Sequence, residues 1–118
     1  MGQVVDINSQ RSGYVRYLYK NGWESGYKSR GKWNGFYENM SLMPNRDITV
    51  YSKGNFNKGM KVGRWEVTYI YHNRENPINV TMGCYENGKR HGVWTLQKSG
   101  QVIEKLLYKK GILIDQNE

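Results

Sequence analysis

From Gly63 onward apolar and polar positions alternate. Trp65, Val67, Tyr69 and Tyr71 fall on one side of an extended chain, and Glu66, Thr68 and His72 fall on the other. Period two marks a half-buried strand, because successive side chains of an extended backbone point to opposite faces. Ile70 stands on the polar side and blurs the pattern. A turn-rich segment follows over residues 72–78, and then Val80, Met82 and Cys84 share one side of a returning strand, a packing position for the thiol. Farther on, residues 93–98 and 101–108 read as two strands joined by Ser99 and Gly100. A glycine in a two-residue connection is a hairpin signal, and pairing about this one predicts Leu96 opposite Ile103.

The alternation belongs to a longer phrase. An aromatic residue stands three positions before a glycine in Tyr19 and Gly22, Phe56 and Gly59, Tyr85 and Gly88, and Tyr108 and Gly111. Twice the phrase continues through a second glycine to a tryptophan: Gly59, Gly63 and Trp65, then Gly88, Gly92 and Trp94. A third copy reads Gly31, Gly35 and Tyr37. The spacing from Gly31 to Gly59 is 28 residues, from Gly59 to Gly88 it is 29, and from Gly88 to Gly111 it is 23. A recurring period of this size signals a repeat architecture in which no unit buries its apolar face alone.

In this reading the two glycines pass the chain from one hairpin to the next, with the freedom of backbone that only glycine has. The tryptophan covers the hairpin and stacks on the neighbouring unit. The predicted fold is all-β: antiparallel β-hairpin repeats stacked into an elongated, twisted sheet. It forms a single domain over residues 1–118, with the clearest repeats over about 50–114. Residues 1–45 form a divergent or capping region, where Gly22 and Gly26 precede Gly31 and Gly35 by only nine positions. Each end of such a sheet exposes an edge strand unless the chain forms a homodimer.

Composition strengthens the all-β reading. The chain has ten Tyr, four Trp and fourteen Gly but no Ala, the best helix former. No apolar run is long enough for a transmembrane helix, and the first residues lack the charged start and apolar stretch of a signal peptide. A single cysteine excludes an internal disulfide framework and fits a reducing cytoplasm.

The phrases resemble MORN repeats, in the shorter bacterial variant found in YwqK-family antitoxin proteins. Tyr85, Asn87, Gly88, Lys89, Gly92 and Trp94, with Ser99 and Gly100 following, carry the resemblance most closely, and Phe56 to Trp65 is the next best copy. The resemblance implies a non-enzymatic protein built for contact with other proteins. Its further implication is an antitoxin or immunity role, in which the chain binds a toxin domain or, in a phage-borne inhibitor, a host enzyme.

Candidate chemistry is sparse. Cys84 and His91 are the available nucleophile and base, but seven residues spanning a strand end and a turn separate them, with no nearby Asp to orient the imidazole. The expectation is no catalytic residue, no metal site and no cofactor, since two His and one Cys fall short of a zinc ligand set. The formal net charge is +8, spread along the chain without a basic run. Both a solvated surface and a basic face assembled by folding stay open. Lys61, Arg64, Lys89, Arg90 and His91, displayed between framework residues, and Arg16 and Lys28 among tyrosines are the candidate partner contacts. A protein partner is the leading expectation, one with an acidic surface. The alternative is a basic module for nucleic acid or anionic lipid, with tyrosines stacking bases and cations meeting phosphates.

Overall fold

A computed structural model describes residues 12–75 and 77–114. Among them nine strands form one antiparallel sheet in strict chain order. They are β1 (Gly13–Tyr19), β2 (Gly22–Ser29), β3 (Lys32–Met43), β4 (Ile48–Asn57), β5 (Met60–Tyr71), β6 (Ile78–Glu86), β7 (Lys89–Lys98), β8 (Gln101–Lys109) and β9 (Ile112–Ile114). Each strand from β2 to β8 is thus an arm of two hairpins. The sheet does not close on itself, and β1 and β9 are its edges. The divergent N-terminal third enters it as β1, β2 and β3, in the same order as the clear repeats.

The two-residue turns explain the glycine of each repeat. Arg30–Gly31, Lys58–Gly59, Asn87–Gly88, Ser99–Gly100 and Lys110–Gly111 each hold both residues at positive φ, 49–53° for the first and 81–87° for the glycine. Two consecutive positive φ values define the hairpin turn whose twist matches that of the flanking strands. The first glycine of Gly-x-x-x-Gly therefore closes a hairpin. The second, Gly35, Gly63 or Gly92, lies inside the following strand. This corrects the expectation of a linker between hairpins, and it moves Lys89, Arg90 and His91 from a turn into β7.

Opposite each second glycine the pairing slips. Register shifts fall between Gly26 and Lys28, between Lys53 and Asn55, and between Met82 and Cys84. In the latter two, Gly54 and Gly83 are the skipped residues, and the indoles of Trp65 and Trp94 lie on them: a Cβ added at either would meet ring carbon at 2.2 Å. The slip also turns a carbonyl out of the ladder, and the same indole satisfies it. Trp65 Nε1 donates to the Asn55 carbonyl at 2.9 Å, and Trp94 Nε1 to that of Cys84 at 3.1 Å. A buried indole N–H needs such a partner, so bulge, glycine and tryptophan form one device.

Those tryptophans centre the core. Val15, Tyr37, Trp65 and Trp94 are the buried hydrophobic side chains among the described residues, with Trp33, Phe56, Tyr85 and Tyr108 packed against the last three. Ring follows ring across the strands from Tyr17 in β1 to Tyr108 in β8, at centroid distances of 4.8–6.4 Å. Most are edge-to-face, the arrangement the ring quadrupole favours. In the hairpin of β7 and β8 the register shifts between Leu96 and Gln97, so Leu96 faces Glu104 and Ile103 is half exposed. This corrects the expected Leu96–Ile103 pair, which assumed an unbroken ladder.

Candidate functional site

A sheet one layer thick has two faces, and here they differ in chemistry. The face bearing the ring row is capped by cations. Lys28 Nζ sits 4.9 Å from the centroids of both Tyr17 and Trp33. Lys61 Nζ sits 4.8 Å from Trp65 and 5.1 Å from Tyr85, and the Arg90 guanidinium 4.3 Å from Trp94 and 5.3 Å from Tyr108. Each cation is wedged between two rings, an attraction of about 0.5–1 kcal/mol per pair at a partly exposed site. Across the ladder each of these cations also faces a further ring of the row, Phe56 opposite Lys61 and Tyr85 opposite Arg90. In the first copy the pair is inverted, with Lys28 opposite Trp33.

Hydrogen bonds fix the row at its ends. Arg90 Nη1 donates to the Tyr108 hydroxyl at 3.2 Å. Burial opposes its charge, but hydrogen bonding to Tyr85 and Tyr108 prevails and raises its pKa. At the other end Glu24 accepts from the Tyr19 hydroxyl at 2.5 Å and from that of Tyr37 at 2.7 Å. Burial and this carboxylate push Tyr19 up to about 12 and raise Tyr37 as well. On the opposite face Tyr51 donates to Glu38, which with burial pushes the phenol up to about 12.

The opposite face is open and exposes apolar side chains among charged ones. Phe36, Met60, Ile78, Val93, Val102 and Leu107 are all exposed there, Val93 at 55% and its cross-strand partner Leu107 at 36%. At the β9 edge Ile112 is 67% exposed.

The seven candidate contact residues divide between these faces. Lys28, Lys61 and Arg90 are the wedged cations. By the alternation of their strands Arg16, Arg64, Lys89 and His91 lie on the apolar face, where Arg16 stacks on Trp23 at 4.5 Å and Arg64 pairs with Glu66 at 3.6 Å. They form no single cluster. Cys84 and His91, separated along the chain, are direct cross-strand partners, and Glu86 Oε1 lies 3.6 Å from His91 Nδ1. The thiol is exposed, which corrects the expectation of a packed one. His91 Nδ1 also accepts the Lys110 amide at 3.5 Å, in the repeat position where Asn34 accepts the Lys58 amide at 2.9 Å. The imidazole thereby serves the adjacent turn. No group of three or more His, Cys, Asp or Glu suited to a metal ion occurs among the described residues. None of their secondary structure is helical, so no helix is long and apolar enough to cross a membrane.

Gly54 and Gly83 escaped the sequence reading, and Gly26 entered it only as half of an overlapping phrase. The signal was present: each lies five residues before the turn glycine of its repeat, Gly31, Gly59 or Gly88. Compared with protein-family models, with curated proteins and with solved structures, the chain finds no match in any of the three.

Proposed function

We propose that this chain is a non-catalytic binding protein that recognises another protein through the apolar face of its sheet and neutralises it by occupying its surface. The observation that carries the reading is the exposure of apolar side chains on that face: Val93 and its cross-strand partner Leu107 stand in solvent side by side, and Phe36 and Met60 are exposed as well. Contiguous exposed apolar surface on a folded protein marks an interaction site. The cations flanking it, Arg64, Lys89 and Arg16, favour a partner with a carboxylate rim. The resemblance of the repeats to those of antitoxin and immunity proteins supports the same reading.

The test is co-purification from the native host, with the wild-type chain and a Val93→Glu/Leu107→Glu variant run side by side. Both substituted positions are exposed, so the variant keeps the ring row intact. The expected result is a stoichiometric partner that the wild type retains and the variant loses, and whose own activity falls on binding. Equal recovery with both chains, or no stoichiometric partner at all, overturns the proposal.

A further inference from the structure

Folding gathers the cations that the sequence leaves dispersed. Four two-residue turns, those of β2–β3, β4–β5, β6–β7 and β8–β9, lie at the same end of the sheet. Lys28, Arg30 and Lys32 surround the first of them, and Lys58 and Lys61 the second. Lys89 and Arg90 flank the third, and Lys109 and Lys110 the fourth. These nine of the chain's 18 Lys and Arg face one carboxylate at that end, Glu86. Elsewhere among the described residues acids and bases nearly balance.

Backbone hydrogen bonds hold the four turns in line. From the second turn on, the turn glycine donates its amide to a carbonyl of the hairpin before it: Gly59 to Trp33 and Gly88 to Lys61 at 2.9 Å, and Gly111 to Arg90 at 2.8 Å. Two strands separate successive turns, so the line runs roughly 29 Å. That is about one cation every 3 Å, close to the roughly 3.4 Å per charge of one nucleic-acid strand. The turns themselves bear a conformational cost for this. Arg30, Lys58 and Lys110 occupy the left-handed position that Asn fills in the third turn, as Asn87. A long cationic side chain there is less favourable than Asn, and a structural requirement for the turn does not explain it.

We propose that this edge binds the phosphate backbone of nucleic acid without reading its sequence. Three features select that occupant. Its linear charge density matches the cation line, whereas a protein surface seldom offers such density. The ridge is one sheet thick, which suits a backbone or groove better than the plane of a membrane. The rings of Trp65, Tyr85, Trp94 and Tyr108 beside it are already covered by Lys61 and Arg90, which leaves no free platform for bases. The inference stands apart from the protein-partner reading and survives its failure.

The experiment measures fluorescence anisotropy of a labelled duplex and a labelled single strand of arbitrary sequence, between about 50 and 200 mM salt. With Arg30, Lys32, Lys58, Lys89, Lys109 and Lys110 exposed, log affinity should fall against log salt with a slope of about −5. The triple variant Arg30→Asn/Lys58→Asn/Lys110→Asn keeps the turn conformation. It should flatten the slope by about 3 and weaken binding on the order of 100-fold at about 100 mM salt. A control at the other end of the sheet, Lys20→Gln/Arg46→Gln/Arg74→Gln, should leave both quantities nearly unchanged. Absence of binding near 50 mM salt overturns the proposal, as does a flat slope or an equal loss in the control. So does capture by anionic phospholipid vesicles with none by nucleic acid. If the triple variant fails to fold by circular dichroism, the wild-type slope and the control still decide.

Discussion

Gly54 and Gly83 are worth more to this protein than the turn glycines that announce the repeat. A methyl group at Gly83 would meet the Trp94 ring at 2.2 Å, and neither backbone nor indole has room to withdraw. At Gly92 nothing lies within 4 Å, and only a φ of 84° resists a side chain. Gly83→Ala should therefore destabilise the chain by about 3 kcal/mol, through overpacking, and Gly92→Ala by about 1 kcal/mol, through backbone strain alone. Chemical denaturation of the two variants measures the difference, and equal losses would contradict the account. Sequence periodicity flagged Gly92 and passed over Gly83. The five-residue offset from the turn glycine marks Gly83 in the sequence, but the indole above it is seen only once the two strands are in register.

At the scale of the strand pair, the inversion of Lys28 and Trp33 shows what the repeat conserves physically. Each copy sets one cation and one ring facing each other across the ladder, and the strand that supplies each differs between copies. Trp33→Lys sets two lysines opposite one another and removes a ring from the row, at a cost of about 3 kcal/mol. Lys28→Tyr leaves Tyr17 without its hydrogen-bond donor. The double exchange Lys28→Tyr/Trp33→Lys restores the pair in the orientation of the later copies. A double-mutant cycle should show a coupling of at least about 0.5 kcal/mol in favour of the exchange. Additive losses would mean that the two side chains act independently. A row aligned by glycine position, with Lys28 and Trp33 filling each other's places, hides this pair from any reading of single positions.

At the scale of the whole sheet, stability is distributed along the ring row, which forms the core of the described residues. Buried residues occur in β1, β2, β3, β4, β5 and β7, while β6, β8 and β9 have none; β6 is covered by a strand on each side, whereas β9 pairs only with Lys109, Tyr108 and Leu107. Local opening should follow that gradient, because the free energy of opening tracks burial. Hydrogen exchange is expected to be slowest in β4 and β5 around Trp65. It should be fastest in β9 and in Gln101–Leu106, whose outer side no strand covers. Uniform protection from β2 to β9 would contradict a row-centred core.

The all-β class, the hairpin turn at Gly100 and the shared face of Trp65, Val67 and Tyr69 were legible because they depend on local rules: period two along a strand, and positive φ that glycine accepts freely. Gly31, Gly59 and Gly88 stood out by their spacing, but that each closes a hairpin emerged only from the strand pairing. What required the tertiary structure depends on register and on distance through space. The bulges that seat Trp65 and Trp94 are slips between two strands, so no single strand records them. Cys84 and His91 became neighbours by the same pairing. The basic edge is the clearest case. Its nine cations are dispersed along the chain, and only the return of every second turn to the same end of the sheet makes them one line.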